Sequence, residues 1–219
     1  MIIAIDGPAG SGKTTTARKV AQSLGFIHIN TGAMYRGITL KCIREKVNLD
    51  DALDIDRILH NTRLNFEGPD HDILYMDGED ISSEITLSYV TENVSRISAI
   101  SNVRIKLVEF QRDMAQKRDV VLEGRDIGTV VFPNAEYKFF LVADILERAR
   151  RRKKEMEVKG EVVSLEELTS EMEERDRKDS TRVHSPLKKA EDAVEIDTTG
   201  LNIEEQVNRI VEIVNKTIK

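Results

Sequence analysis

The feature that most constrains this chain is a glycine-rich segment close to its N-terminus, with the pattern G-x-x-x-x-G-K-T. Its residues are Gly7, Pro8, Ala9, Gly10, Ser11, Gly12, Lys13 and Thr14. Glycines at these positions allow backbone N–H groups to turn inward and surround a polyphosphate without side-chain clashes. Lys13 would reach the β- and γ-phosphates, and the hydroxyl group of Thr14 would bind Mg²⁺. The segment therefore predicts a nucleoside triphosphate site.

The residues on either side of this segment have the patterns of a strand and a helix. Met1–Ile5 is a short apolar run, typical of a buried strand. Beyond the segment, apolar residues recur at helical spacing: Ala17, Val20, Ala21 and Leu24. Gly25 follows and can end a helix. The helix N-terminus would then face the anion, and this order of elements argues against a chance match of a glycine-rich turn.

The composition is that of a globular protein, and it limits the classes of partner. The chain has 219 residues, 40% hydrophobic and 33% charged, and no apolar run approaches the roughly 20 residues of a membrane span. No signal peptide is apparent. The single cysteine, Cys42, excludes an internal disulfide framework and predicts a cytoplasmic protein. A net charge of −6 argues against a broad nucleic-acid surface.

Strand and helix patterns alternate along the rest of the chain. The later strand-like segments are Phe26–Asn30, Val120–Glu123, Tyr137–Val142 and Ala193–Asp197. With helical periodicity between them, these segments predict an α/β fold with a parallel sheet of about five strands between layers of helices. We expect a single P-loop NTPase-type three-layer domain over residues 1–219.

The helical segments include one long stretch and two with clear capping signals. Thr86 to Lys117 carries an apolar stripe at spacings of three, four and seven, which predicts one long helix. Ser164 and Glu167 have the form of a capping box. Asn202 and Glu205 are predicted to cap the last helix, whose apolar stripe continues to Ile218.

The pattern changes to short alternating pieces between two of the helices. Arg63–Glu67, Asp72–Met76 and Glu79–Ile81 alternate apolar and polar residues, and Asp77-Gly78 is a strong hairpin signal. We expect a small antiparallel β insertion over residues 62–88. A surface decoration without function is the alternative.

Polar residues near the ends of predicted strands are candidates for a second binding site. Thr31 and Arg36 follow the second strand, and Arg125 and Asp126 follow the third. In open α/β sheets, ligands bind beyond the carboxyl ends of the strands. For the first pair, spacing alone favours an N-capping Thr31 and a solvated Arg36. For the second pair, a salt-bridged turn is an equal alternative.

Other polar candidates lie on helices, where exposure is the simpler interpretation. Ser95 and Arg104 lie off the apolar stripe of the long helix. Arg175, Asp179 and Arg182 share one helical face, where spacing favours exposed ion pairs. The basic stretch from Glu147 to Lys154 could bind nucleic acid, form a solvated face or belong to a mobile lid. In a P-loop protein the lid fits best, because arginines stabilise the charge on a transferring phosphoryl group.

Three segments together resemble the bacterial cytidylate kinase family of P-loop nucleoside monophosphate kinases. They are Gly7–Thr14, Thr31–Arg36 and Gly124–Pro133. The resemblance extends essentially end to end and includes the β insertion, which separates this family from adenylate kinases. The phosphate-binding loop is generic, whereas its combination with Tyr35-Arg36 and G-R-D-x-G-T is far more specific.

The resemblance implies roles for residues that spacing alone leaves open. The implied CMP-binding residues are Thr31, Arg36, Ser95, Arg104, Arg125, Asp126, Arg175, Asp179 and Arg182. The implied catalytic residues are Lys13, Arg125, Asp126, Arg175 and Arg182. The implied ATP-binding residues are those of the glycine-rich segment with Thr15, Arg148 and Arg151. The family also has serine at position 31, and the segments Arg177-Lys178 and Ser180-Thr181 depart from its more charged pattern.

The expected function is Mg²⁺-dependent transfer of the ATP γ-phosphoryl group to CMP or dCMP. The β insertion would contact the nucleoside monophosphate, and residues 148–162 would form the lid. We expect a monomer with no nucleic-acid or membrane partner. Another small-molecule kinase, for example for UMP, AMP or shikimate, remains an alternative, as do a P-loop ATPase or switch and a non-enzymatic nucleotide sensor.

Overall fold

The computed structural model describes residues 1–49, 51–68, 71–158 and 160–217. Its strands are β1 Ile2–Asp6, β2 Ile27–Asn30, β3 Leu64–Glu67, β4 Ile73–Met76, β5 Glu79–Asp80, β6 Val120–Gly124, β7 Tyr137–Val142 and β8 Val194–Asp197. Its α-helices are α1 Lys13–Leu24, α2 Thr31–Arg44, α3 Ala52–His60, α4 Ser88–Thr91, α5 Val94–Ser98, α6 Ser101–Ala115, α7 Ile145–Val158, α8 Leu165–Thr181 and α9 Ile203–Thr217. Helices separate successive strands, as the sequence pattern predicts, except within β3–β5 and between β6 and β7, which are joined by a short π-helical turn over Ile127–Val131.

The main sheet has five parallel strands in the order β2-β6-β1-β7-β8, which confirms the predicted sheet. The first strand is central, so the phosphate-binding loop leaves the middle of the sheet at its carboxyl edge. In register, Asp6 of β1 lies beside Gly124 of β6 and Phe140 of β7. The ends of β1 and β6 thus bring their following loops together.

Both faces of the sheet are covered by helices. Ile3 and Ile5 of β1 pack in one apolar cluster with side chains of α1 and α9. Ala4, between them, packs in another cluster with Val108 of α6. Because successive side chains of a strand point to opposite faces, these clusters are the two layers of the core. The three-layer arrangement of the fold is confirmed.

The insertion is a three-stranded antiparallel sheet in the order β3-β4-β5, as the sequence predicts. Asp77 and Gly78 both have positive φ, 54° and 90°, as a tight hairpin turn requires. Side chains of this sheet share an apolar cluster with α2, α3 and α6. The small sheet therefore packs against several helices of the domain.

The prediction of one long helix between Thr86 and Lys117 is wrong. The segment forms α4, α5 and α6, and the chain is extended at Ile100, where ψ is 124°. The amide of Asn93 donates to the carbonyl oxygen of Tyr89 at 2.9 Å. Short polar side chains of this kind compete with helical backbone bonding. Apolar residues of α4, α5 and α6 pack in one cluster. Their spacing in the sequence therefore resembles that of one continuous helix.

Several local predictions are confirmed at the helix ends. Ser164 and Glu167 form the reciprocal capping box of α8, and Asn202 and Glu205 bond each other's backbone N–H at the start of α9. Cys42 is fully buried in α2, as expected for a packing residue. Ile218, predicted for the stripe of α9, lies outside the described residues, as do parts of segments 62–88 and 148–162. In the described part of the chain, every helix is too short or too polar to span a bilayer.

Candidate active site

The glycine-rich segment lies between β1 and α1 and has the backbone shape that its glycines permit. Gly10 and Gly12 have φ values of 72° and 89°. At Gly7, where φ is 149°, an added Cβ would lie 2.1 Å from the carbonyl oxygen of Leu141 in β7. A side chain there would displace the loop or the neighbouring strand. The loop is therefore held close against the sheet at the N-terminus of α1, where backbone N–H groups can bind an anion.

Lys13 is buried, with 5% of its surface exposed, and its ammonium group stays within the loop. Its Nζ donates to the carbonyl oxygen of Pro8 at 2.5 Å and to Oγ of Ser11 at 3.2 Å. Burial, reinforced by the nearby Arg125 guanidinium, holds the pKa of Lys13 well below its ordinary value. A bound polyphosphate would add to the counter-charge that Glu123 and Asp6 give this cation.

Glu123, the penultimate residue of β6, is a site residue that the sequence analysis did not assign. Its Oε2 accepts a hydrogen bond from Oγ1 of Thr14 at 2.8 Å, and Oε1 has no hydrogen-bond partner among the described residues. Burial raises the pKa of this carboxyl, but His28, Lys13 and Thr14 outweigh it, so the net pKa is lowered. A hydroxyl and an ionised carboxylate beside a phosphate site are hard oxygen donors that fit Mg²⁺.

Asp6 at the end of β1 is a second unassigned residue. Its carboxylate accepts hydrogen bonds from the backbone N–H groups of Ile127 and Gly128, both at 2.8 Å. Burial raises the pKa of Asp6 to about 6 in spite of these bonds. The contact fixes the turn after β6 against the start of the phosphate-binding loop. An acidic residue ending an otherwise apolar strand was the signal in the sequence for both Asp6 and Glu123.

Arg104 of α6 is only 4% exposed, so the expectation that it decorates the surface is wrong. Its Nη2 is paired with Oδ2 of Asp126, its Nη1 donates to the carbonyl oxygen of Ser98 at 3.2 Å, and its guanidinium lies 5.4 Å from the ring centroid of Tyr35. Burial raises the pKa of Tyr35 to about 12, which keeps its hydroxyl protonated. The helices α2 and α6 and the turn after β6 thus meet at the Arg104–Asp126 pair.

Asp179 of α8 lies among arginines, and the expectation of exposed ion pairs on this helical face is wrong. Nε of Arg125 donates to its Oδ2 at 3.0 Å, and Nη1 of Arg182 lies 3.7 Å from its Oδ1. The Asp179 side chain is 8% exposed. Burial opposes its ionisation, but Arg125, Arg175 and Arg182 outweigh it and lower its pKa.

The guanidinium groups around Asp179 outnumber the carboxylates that face them. Nη2 of Arg182 also lies 3.9 Å from Oδ1 of Asp126. Burial and the charge of Arg125 lower the pKa of Arg175 to about 10, and its Nε has no hydrogen-bond partner among the described residues. A buried excess of positive charge of this kind is suited to a phosphate group.

The remaining candidates for the second site lie on α2 and α5. Oγ1 of Thr31 donates to the carbonyl oxygen of Glu123 at 2.7 Å, and the cap of α2 is Asn30, so the capping role considered for Thr31 is wrong. Burial lowers the pKa of Arg36, partly offset by the charge of Glu123. Ser95 is half-buried on α5, and its carbonyl oxygen accepts from Oγ of Ser98 at 3.2 Å.

Two arginines of α7 contact the glycine-rich loop and the loop that follows β8. Nη1 of Arg148 donates to the carbonyl oxygen of Ala9 at 3.0 Å and lies 2.7 Å from Oδ2 of Asp176. Arg151 donates to Oγ1 and to the carbonyl oxygen of Thr198 at 3.1 and 2.7 Å. Arg150 and Arg151 both pair with Glu147 of the same helix, and Arg152 pairs with Glu155. Arg148 and Arg151, the two arginines that the resemblance implies for ATP binding, are thus the two that contact the glycine-rich loop and the loop after β8.

The parallel sheet, the glycine-rich loop and the adjoining cluster of arginines define a phosphotransferase of the P-loop kinase class. A solved gluconokinase from Sinorhizobium meliloti 1021 shares the fold, with a TM-score of 0.51 and 13% identity, covering 99% of this chain and 96% of that one. The chain belongs to the cytidylate kinase family, whose model, described as cytidylate kinase, matches residues 3–216.

Curated relatives agree with the family model over nearly the whole chain. A cytidylate kinase from Desulforamulus reducens is 51% identical over 214 residues, which are 98% of this chain and 96% of the relative. A cytidylate kinase from Fusobacterium nucleatum is 47% identical over 216 residues, 99% of this chain and 98% of the relative. The family is thus that of a nucleoside monophosphate kinase.

Proposed function

We propose that the protein transfers the γ-phosphoryl group of ATP to CMP or dCMP, giving ADP and CDP or dCDP in a reversible reaction. The observation that carries the proposal is the buried arginine–carboxylate cluster beside the phosphate-binding loop. Membership of the cytidylate kinase family supports the same acceptor. A P-loop ATPase or switch binds no second substrate. Buried guanidinium groups in excess over carboxylates would have no anion to bind in such a protein.

The donor site is formed by the loop from Gly7 to Thr15 with Arg148 and Arg151 of α7. Lys13 would leave its contacts with Pro8 and Ser11 to bind the β- and γ-phosphates. Thr14 and Glu123 would hold Mg²⁺, which when bound neutralises charge on the phosphates. Residues 148–162 would act as the lid over this site.

The acceptor site joins the turn after β6 to α2, α5, α6 and α8. Arginines would bind the monophosphate, namely Arg36, Arg125, Arg175 and Arg182. The polar edge of the cytosine would face Ser95 and the Arg104–Asp126 pair, while Thr31 and Asp179 complete the site. Residues 62–88 would close over the nucleoside monophosphate.

The chemistry needs positioning and charge neutralisation rather than a general base. An acceptor phosphate has a second pKa near 6, so its oxygen is largely ionised at neutral pH. Lys13, Arg125, Arg175 and Arg182 would stabilise the charge on the phosphoryl group as it moves in line between donor and acceptor. Asp126 would hold the acceptor through Arg104. Closure of lid and insertion would exclude water, the competing acceptor.

The test is ADP production from Mg·ATP with CMP, dCMP, UMP, AMP, GMP and shikimate offered separately. We expect fast turnover with CMP and dCMP only. Fast turnover with another acceptor would assign a different small-molecule kinase. Equal ADP formation without any acceptor would show an ATPase, and ATP binding without turnover a sensor.

We also infer that the protein works as a cytoplasmic monomer without a nucleic-acid or membrane partner. The buried thiol of Cys42 and the net charge of −6 support this inference. Burial raises the pKa of this thiol to about 11, so it stays protonated and unreactive. Light scattering should give the 24.8 kDa mass of one chain, and a mass of twice that value would contradict it.

A further inference from the structure

A buried histidine lies behind the carboxylate that accepts the Thr14 hydrogen bond. His28 is in the middle of β2 and is 3% exposed. In register it lies beside Val121 of β6, two residues before Glu123. Residues two apart on a strand share a face, so His28 and Glu123 lie on the side of the sheet that α1 covers. Thr14, on the first turn of α1, completes a row of three polar side chains.

The histidine faces the carboxylate oxygen that Thr14 leaves unused. Nε2 of His28 lies 3.5 Å from Oε1 of Glu123, while Oε2 accepts from Thr14 at 2.8 Å. Neither ring nitrogen has a hydrogen-bond partner among the described residues, so a bond from Nε2 to Oε1 would need the two side chains to move slightly closer. His28 also borders a cavity of about 350 Å³, shared with Arg18, Gln22 and His71, but both of its ring nitrogens are buried away from solvent.

Burying a histidine at this position costs free energy that an apolar side chain of similar size would not cost. An aliphatic side chain would satisfy a buried strand, whereas a buried imidazole loses hydration unless its nitrogens find partners. The Glu123 carboxylate lacks a donor for Oε1, and a single hydrogen bond to Oε2 leaves the group free to rotate. A donor on Oε1 would fix both oxygens.

We infer that His28 is a positioning residue that holds Glu123 in the orientation required by Thr14 and by Mg²⁺. The inference rests on the proposed function, since it concerns the metal that accompanies the bound nucleotide. Groups that orient a metal-binding side chain influence metal affinity strongly, although they do not touch the metal. His28 therefore acts through Glu123 and makes no contact with substrate.

The test measures nucleotide binding rather than turnover. The affinity of a fluorescent ADP analogue is titrated in EDTA and in saturating Mg²⁺, and the ratio of the two dissociation constants gives the gain from the metal. We expect His28→Leu to reduce this gain by about 10-fold and to leave the affinity in EDTA unchanged. His28→Gln, whose amide nitrogen can replace Nε2, should restore most of the gain.

Three results would overturn the inference. An unchanged gain in His28→Leu would exclude a positioning role, and an equal loss of affinity with and without Mg²⁺ would show a merely structural one. In a Glu123→Gln background, a further loss on adding His28→Leu would show that His28 does not act through the carboxylate. His60→Leu, at the exposed end of α3, is the matched control and should behave as the unchanged protein.

Failure of the proposed function would look different. A protein that binds no ADP analogue at all, with or without Mg²⁺, would contradict the kinase assignment itself. Thermal unfolding separates both cases from misfolding, because leucine packs well in a buried strand and His28→Leu should not lower the melting temperature. If His28→Leu does not fold, the gain from Mg²⁺ is compared between His28→Gln and His28→Asn, whose shorter amide cannot reach Glu123. A larger gain in His28→Gln supports the inference, and an equal gain in the two variants would overturn it.

Discussion

Nε of Arg125 donates to Oδ2 of Asp179 at 3.0 Å and so ties the turn after β6 to α8, 54 residues further along the chain. The same carboxylate also lies near Arg182, and the charge of Arg175 contributes to its low pKa. One buried acid thus holds three cations that would otherwise repel one another. In the proposed reaction these cations would bind phosphate, so Asp179 would have a functional role in addition to its structural one.

Asp179→Asn should therefore weaken the fold and the acceptor site together. Removing one partner from a buried ion pair costs about 3 kcal/mol of unfolding free energy, which chemical denaturation would measure. The pKa of Asp179 is lowered by folding, so its contribution to stability is present above the carboxyl's unfolded pKa and is lost as the pH falls below it. The difference between the two proteins should accordingly shrink in acid. Glu174→Gln, at an exposed pair on the same helix, should leave stability and the KM for CMP unchanged.

Lys13→Met should separate turnover from stability. The side chain is buried and its pKa is already lowered, so the fold gains little from the charge, and we expect an unchanged or slightly higher melting temperature. Turnover should fall by about 10²–10³-fold, as for the loss of one preorganised group that stabilises developing charge. Near-normal ADP production by this variant would rule out the proposed mechanism.

Asp6→Asn should change how stability depends on pH. Folding raises the pKa of Asp6 from 3.8 to about 6, so between these values the folded protein holds a proton that the unfolded chain has released. The stability of the unchanged protein therefore falls through this window and levels off above it. The variant lacks this penalty, and its stability relative to the unchanged protein should rise by about 2 kcal/mol between pH 4 and pH 6.5. Denaturation curves at several pH values would measure the rise, and a constant difference would exclude the assigned pKa.

Gly7→Ala should abolish nucleotide binding, because the added Cβ would lie 2.1 Å from a backbone oxygen of β7. Neither β7, which carries this oxygen, nor β1, which precedes Gly7, can move away without losing hydrogen bonds of the sheet. Gly25→Ala provides the control, since its φ is also positive, at 71°, but its Cβ would meet no atom within 4 Å. That variant should bear only the strain of a left-handed residue, about 1 kcal/mol, and should still bind ATP. Equilibrium binding and melting curves would compare the two.

The sequence predicts the phosphate-binding loop and the sheet well because both depend on local patterns. Burial of Arg104 and Asp179 could not be predicted in the same way, since their partners Asp126 and Arg125 lie 22 and 54 residues away. A charged residue off an apolar stripe is normally exposed. The burial of such a residue can be inferred only when its ion-pair partner is known. Here the family resemblance, rather than the spacing, indicated that Arg104 and Asp179 belong to a site.

The apolar side chains of the parallel sheet and those around the small insertion belong to separate clusters. The first set supports the loop that would hold ATP, while the second surrounds α2, from which Thr31 and Arg36 would contact CMP. The two substrates would thus depend on different cores within one domain. Such a division would allow the acceptor to change over evolution: repacking around α2 and the insertion could admit a new acceptor while the phosphate-donating half kept its sequence. It would also let an engineer alter one specificity without rebuilding the other.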